Sequence, residues 1–411
     1  MRILFITQWF QPEELFKGLP LAKELTRLGH EVEVLTGFPN YPGGKIYKGY
    51  KVRFLQRETI EGISVIRVPL YPSHDKSGLR RFMNYASFAF SAAIIGPWVA
   101  KKADVAYVYH PPATIGFPAM IFKMLRRVPF VYDIEDLWPD TLTATGLFSN
   151  KMGLWLVEKW CRLIYSTASR IIVLSPGFKK ALVERGVRSE KINVIYNWVD
   201  DTMVKPVPKN PALAAKLGLS GKFNVVFAGN IGKAQALESV IAAADILRKE
   251  SSSIQFVFVG TGIEIENLKT KTHDMGLENV LFIPQQPMSE MGAILVLADV
   301  LLVHLKDDPL FRITVPSKIQ AYLAVGRPIL VAVQGDAADL VVNAEAGLPC
   351  IPENAESIAE GVRKFLKMSQ QELDTMGENG RRFYQQKLSL AVGTKQLLNA
   401  LESAIQGPRG V

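Results

Sequence analysis

The segment FRITVPSKIQAYLAVGRP, residues 311–328, holds the densest group of side chains suited to chemistry. Ser317 can cap a helix from about Lys318 to Val325, with Gly326 as its stop and Arg327 and Pro328 leading into a strand. A helix start offers main-chain N–H groups to phosphate oxygens, and Lys318 or Arg312 adds positive charge where a leaving diphosphate gains negative charge. Gln320 can donate to and accept from ribose hydroxyls. The plainer reading of each long side chain is a solvated helix face. His110 follows the run VAYVY and precedes two prolines, which suits either a polar role at a strand end or a hydrogen bond to the adjacent turn. Asp133, Glu135 and Asp136 surround the end of another apolar run. Alternation sets Asp133 and Glu135 on one face and Asp136 opposite. One of them can take a proton from an attacking hydroxyl, or the cluster can cap the helix after LWPD.

These residues need strands ending in loops. Short β-branched and aromatic runs occur at 3–7, 32–36, 63–68, 105–109, 129–134, 170–175 and 193–197, with helical periodicity between most of them. The pattern restarts at FNVVFAG (223–229) after a polar stretch at 200–211, and continues at 254–260, 279–284, 300–304 and 328–333. It predicts two doubly wound α/β domains with mostly parallel sheets. Ligands then bind beyond the carboxyl ends of the strands. That rule selects QWFQPEELFKG, TGFPNYPGG, YHPPATIG and DIEDLWPD in the first domain, and AGNIGKAQ, VGTGIE and the region from Leu305 to Gln320 in the second. No complete GxGxxG fingerprint or Walker A motif is present, so dehydrogenase and ATPase readings lose their main support. The GTG at 260–262 suits close backbone approach or a tight turn, so a packing or turn role stands beside ligand contact.

The 411 residues predict two domains and a tail: 1–200, 201–385 and a helix over 386–411 that crosses back to the first domain. Apolar residues make up 48% and charged residues 21%, as in globular proteins. Cys161 and Cys350 offer neither a disulfide framework nor a metal cluster, so a reducing compartment is expected. The N-terminus lacks the apolar region of a signal peptide. Residues 1–200 carry 27 Lys and Arg against 17 Asp and Glu, and the remainder 21 against 22. The positive excess in the first half suits an anionic membrane or a phosphorylated small molecule; without zinc-finger or RNA-binding signatures, nucleic acid is the weakest partner. Residues 78–102 form an almost charge-free stretch flanked by Arg80, Arg81, Lys101 and Lys102. Asn84 and Pro97 argue against a simple transmembrane span. A core helix and a helix with one face on the membrane surface are the two readings.

Three longer stretches, LGHEVEVLTGFPNYPGGKIYKGY, DIEDLWPDTLTATG and PSKIQAYLAVGRPIL, make the chain resemble the retaining GT-B glycosyltransferases of family 4. Within it they point to the bacterial O-antigen and colanic-acid branch that transfers N-acetyl-L-fucosamine or a related sugar. The resemblance covers nearly the whole chain and implies two Rossmann-like domains facing across a cleft. It places His110 near the transferred sugar and makes AGNIGKAQ a donor-diphosphate loop, with Asn230 and Gln235 where the family usually has arginine and lysine. The family's two glutamates correspond to Arg312 and Gln320. Lys318, aided by Lys233 or Arg312, can replace the missing cations. His110 and Lys318 are thus the catalytic candidates. The donor-side candidates are Asn230, Gly232, Lys233, Gln235, Gly260, Arg312, Pro316, Ser317, Lys318 and Gln320. EELFKG stands where the family has a glycine pair, so Phe16 and Lys17 join Asp133, Glu135 and Asp136 on the acceptor side. The implied reaction is metal-independent and cofactor-free: a UDP-sugar is the co-substrate, and an undecaprenyl-diphosphate-linked saccharide is the acceptor. The implied place is the cytoplasm, peripheral on the anionic inner membrane surface. A nucleotide-sugar-binding regulatory protein without turnover, or a transferase using UDP-GlcNAc or another UDP-hexose, are the alternatives.

Overall fold

The structure is a computed structural model, and it describes residues 1–13, 15, 17–73, 78–144, 150–201 and 204–407. The chain forms two compact units: one of Met1–Tyr196 together with the chain from Gly393 onward, the other of Asn197–Val392. Both are Rossmann-like α/β units.

The strands of the first unit are β1 (Arg2–Ile6), β2 (Glu31–Gly37), β3 (Gln56–Ile60), β4 (Ile63–Val68), β5 (Val105–His110), β6 (Phe130–Ile134), β7 (Arg170–Val173) and β8 (Ile192–Val194). They lie in the order β3-β4-β2-β1-β5-β6-β7-β8. All pairs are parallel except β3 with β4. The inner strands are apolar on both faces because helices cover both sides; every residue of β5 and β6 is buried. β3, QRETI, was not expected from its sequence. It is a charged, half-exposed edge strand, joined to β4 by Glu61 and Gly62, both at positive φ. The winding direction reverses between β1 and β5, so a binding site is expected at the carboxyl ends of these two strands.

The stretch around 78–102 is one helix, Gly78–Val99, with Pro97 inside it. Asn84 does not break the helix. It is buried, accepts from Gln8 at 2.5 Å and donates to the Tyr71 carbonyl at 2.7 Å. One side buries Phe88, Ala89, Ala92, Ala93 and Ile95 against the unit, while Leu79, Phe82, Met83, Phe90, Ile94 and Trp98 are exposed. The helix therefore has features of both readings: a core face and an uncovered apolar face. Among the described residues no helix is long and apolar enough to cross a membrane.

The second unit has β9 (Phe223–Ala228), β10 (Ile254–Val259), β11 (Val280–Ile283), β12 (Val300–His304), β13 (Ile329–Ala332) and β14 (Gly347–Pro349). They form a wholly parallel sheet in the order β11-β10-β9-β12-β13-β14. Its core includes Phe227, Ile241, Leu247, Phe258, Leu302, Val362 and Phe365; full burial of each aliphatic or aromatic side chain is worth about 1.5–3 kcal/mol. Here the winding reverses between β9 and β12. The loop after β9 and the residues after β12 are thus the expected ligand-facing positions.

Candidate functional site

In the second unit β9 runs into Gly229, Asn230, Ile231 and Gly232, then a short turn of helix, Lys233–Gln235. Asn230 and Lys233 are exposed and Gly232 is buried. Gln235 closes its own loop, its side-chain oxygen accepting from the Gly232 N–H at 3.1 Å. Gly260, at the end of β10, sits at φ +142, and a Cβ there would lie 2.1 Å from the Gly229 carbonyl oxygen. Gly260 thus packs closely against the loop after β9.

The Lys318–Val325 helix begins beside the same loop and ends at Gly326, φ +72. Tyr322 ties it to β9: its hydroxyl accepts from the Ala228 N–H at 2.9 Å and lies 3.3 Å from the Ala228 carbonyl. Ser317 stands at the N-cap without capping. Its main chain is already helical (φ −58, ψ −19), whereas a capping side chain needs extended backbone to turn back onto the first turn. This corrects the expectation for its hydroxyl. Gln320 is buried. With its amide nitrogen turned to the main chain, it donates to the carbonyls of Ser317 (2.9 Å) and Pro316 (3.0 Å), so its donor half serves the helix start. Arg312 is exposed and engages Asp307 through two bonds of 3.0 and 3.1 Å.

Lys318 differs from these. Its Nζ is buried, has no hydrogen-bond partner among the described residues, and lies 3.6 Å from the centre of the Phe227 ring. A Cβ on Gly229 would be 3.6 Å from that nitrogen, so the ammonium lies against the loop after β9. Burial lowers its pKa to about 7. The Ile319 N–H at the same helix start already donates to the Pro316 carbonyl at 3.0 Å, and a buried cationic group without an anion is one that bound negative charge would stabilise.

His304, which sequence reasoning did not select, ends β12 and is fully buried. Its Nδ1 is 2.7 Å from the Gln235 carbonyl and its Nε2 accepts from the Glu353 N–H at 3.1 Å. Burial lowers its pKa to about 4, so a neutral ring pins the loop after β9. The signal available was the one used for His110: a histidine closing an apolar strand.

In the first unit Lys17 is buried and bridges Asp133 (2.7 Å) and Glu135 (2.8 Å). Tyr107 also donates to Asp133 at 2.5 Å. Burial opposes the charge on Lys17, and the two carboxylates more than offset it, so it stays an ammonium. These three acceptor-side candidates form an internal ion cluster that joins the loop after β1 to the end of β6. Asp136 is half-buried and outside that cluster; burial raises its carboxyl to about 6. Phe16 lies outside the described residues.

His110 ends β5 with its side chain buried between the rings of Tyr132 (5.8 Å) and Trp138 (5.6 Å). Its Nδ1 has no hydrogen-bond partner among the described residues, and burial lowers its pKa to about 3. Glu13, also unselected from the sequence, is buried and accepts from the N–H groups of Asn40 and Tyr41 (both 2.7 Å) and Phe10 (3.1 Å). Burial raises it to about 7 against the pull of those donors. It fixes the loop after β2 against the loop after β1. Among the described residues no group of three or more His, Cys, Asp or Glu side chains is placed to hold a metal ion.

Residues 19–198 match the glycosyl transferase 4-like domain and residues 210–383 the glycosyl transferases group 1 domain. WcaI of Escherichia coli (strain K12), named for glycosyl transfer in colanic acid biosynthesis, is 28% identical over 84% of this chain and 86% of its own length. WbjE of Pseudomonas aeruginosa, named as a glycosyltransferase, is 25% identical over 74% of this chain and 75% of its own. The crystal structure of HepE from Anabaena in complex with UDP and glucose superposes with a TM-score of 0.71 at 18% identity, covering 98% of this chain and 100% of that one. Both halves of the chain thus match glycosyltransferase domains and each folds as such a domain does: the chain is a glycosyltransferase of the GT-B fold, related to the transferases of bacterial polysaccharide biosynthesis.

Proposed function

We propose that the chain is a retaining transferase that moves a sugar from a UDP-sugar to a lipid-linked saccharide in O-antigen or exopolysaccharide synthesis. N-acetyl-L-fucosamine is the preferred donor sugar. The observation that carries the reading is the buried, unpartnered Lys318 Nζ at the start of the Lys318–Val325 helix. Cleavage of a UDP-sugar leaves charge on the diphosphate, and this ammonium with the helix N–H groups binds the departing UDP more strongly than the intact donor. Lys233, exposed on the neighbouring loop, adds charge. Asn230, Gly232 and Gln235 shape that loop, and Pro316, Ser317 and Gln320 shape the helix start. The acceptor hydroxyl attacks the anomeric carbon on the face from which UDP leaves, and its proton passes to the leaving phosphate. Under this route the neutral His110 orients the sugar. Protein charge, with no metal, stabilises the leaving group.

The lipid-linked acceptor draws support from the Gly78–Val99 helix. Its exposed Phe82, Phe90, Ile94 and Trp98, with Arg80, Arg81, Lys101 and Lys102 at its ends, suit an anionic bilayer surface. The place of action is then the cytoplasmic face of the inner membrane.

The test is a panel of UDP-N-acetyl-L-fucosamine, UDP-GlcNAc, UDP-glucose and UDP-galactose with lipid-linked GlcNAc, followed by NMR of the product for linkage and anomeric configuration. Multiple turnovers with one donor and retention at the anomeric carbon are expected; inversion would reject the mechanism. The second reading, a nucleotide-sugar-binding protein without turnover, draws on Arg312 being occupied by Asp307 and Gln320 by main chain. It predicts UDP binding with no release of UDP from any donor in the panel.

A further inference from the structure

The first unit holds an aromatic cluster that the donor chemistry does not use. The Trp9 ring, in the loop after β1, is 4.7 Å from Tyr41 at an interplanar angle of 34° and 6.2 Å from Tyr85 at 76°. Tyr41 comes from the loop after β2 and Tyr85 from the Gly78–Val99 helix. The Asp136 carboxylate is close enough to act electrostatically on both tyrosines. It has no ion pair or hydrogen-bond partner among the described residues. Tyr41, Tyr85 and Asp136 are all part-exposed, and three of the four contributing segments, the loops after β1, β2 and β6, leave the carboxyl end of the sheet. Glu13 holds the Tyr41 loop in place through the main chain.

The part-exposed Tyr41 and Tyr85, braced by the buried Trp9 and with the Asp136 carboxylate acting on both, offer ring surface and a hydrogen-bond acceptor that suit a pyranose. Its C–H faces lie on aromatic rings and its hydroxyls donate to the carboxylate. We propose that Tyr41, Tyr85 and Asp136, braced by Trp9, form the binding site for the acceptor's sugar, and that Arg81 binds the diphosphate attached to it. Arg81 lies one helical turn before Tyr85 and acts electrostatically on its hydroxyl. The apolar residues Phe82, Phe90, Ile94 and Trp98 continue along the same helix. One helix thus contacts all three parts of a lipid-linked saccharide: sugar, diphosphate and hydrocarbon. Asp136 accepts a hydrogen bond from a sugar hydroxyl and positions it; no covalent step passes through it.

The site rests on the lipid-linked acceptor proposed above, and the test separates the two. Initial rates are measured with GlcNAc-diphosphate-undecyl as acceptor for the native chain and for Asp136→Asn, Tyr85→Phe and Arg81→Gln. Asp136→Asn is expected to raise the acceptor KM about tenfold or more, the loss of a hydrogen bond to a charged group, with the donor KM within about twofold of native. Arg81→Gln is expected to raise KM for GlcNAc-diphosphate-undecyl while leaving that for undecyl GlcNAc, which lacks the diphosphate, unchanged. An unchanged acceptor KM in Asp136→Asn, in a chain that keeps its circular dichroism and binds UDP, would overturn the site. If no donor supports turnover, the transferase reading fails. The site is then decided by saturation-transfer NMR of GlcNAc-diphosphate-undecyl on the native chain and Asp136→Asn. Weaker contact in the variant keeps the site, and equal contact removes it.

Discussion

Lys318 is the residue on which donor binding turns, and its burial makes that binding pH-dependent. Its folded pKa of about 7 lies below the 10.5 of a free lysine. Between those values the unfolded chain binds the extra proton, so stability rises with pH across that window and the cost of burying the ammonium is greatest below about 7. A diphosphate beside Nζ reverses the shift. UDP binding near pH 8 is therefore expected to take up a proton, read by calorimetry in buffers of different ionisation enthalpy. Lys318→Met should abolish the uptake and weaken UDP binding about tenfold or more; native binding without uptake contradicts the assignment. His110 behaves differently. With a pKa of about 3 it stays neutral throughout the working range. His110→Ala is expected to lower kcat about a hundredfold by the same factor from about pH 6 to 9, with UDP binding intact. A full transfer rate in a folded variant, or a loss that titrates, removes its role.

At the scale of elements, the close approach of the loops after β9 and β10 depends on Gly260. Gly260→Ala has no room for a methyl group against the Gly229 carbonyl. It is expected to destabilise the second unit by more than about 1 kcal/mol and to weaken UDP binding; an unchanged urea midpoint argues against the packing role. The Gly78–Val99 helix gives a complementary prediction. Replacing Ile94 and Trp98, both exposed, with Glu should leave the fold intact and release the protein from phosphatidylglycerol vesicles in a sedimentation assay. Retention of the double variant would show that this face does not bind lipid. The long apolar strands were legible because burial on both faces demands β-branched and aromatic residues. β3 and β14 were not: QRETI is polar at an exposed edge and Gly347–Pro349 is only three residues long. The Lys318 helix was legible through its stop at Gly326. The Lys17–Asp133 pair was not, because its partners are 116 positions apart and nothing local in either segment signals the other.

At the scale of the whole molecule, the helix Leu390–Gln406 follows the second unit in sequence, yet the chain from Gly393 belongs to the first. It buries Leu397, Ala400, Leu401 and Ala404. Leu401→Ala is expected to cost about 2–5 kcal/mol, and hydrogen exchange should quicken in β1 and β5 while β9 and β10 keep their protection. Equal loss in both units would show that the helix stabilises them jointly.

That arrangement has a consequence for synthesis. The ribosome delivers the eight strands of the first sheet early, but the helix that completes their unit emerges only after the second unit has been made. The nascent chain must hold an unfinished apolar surface through that interval. Conditions that slow elongation late in the message should therefore favour aggregation of the first half.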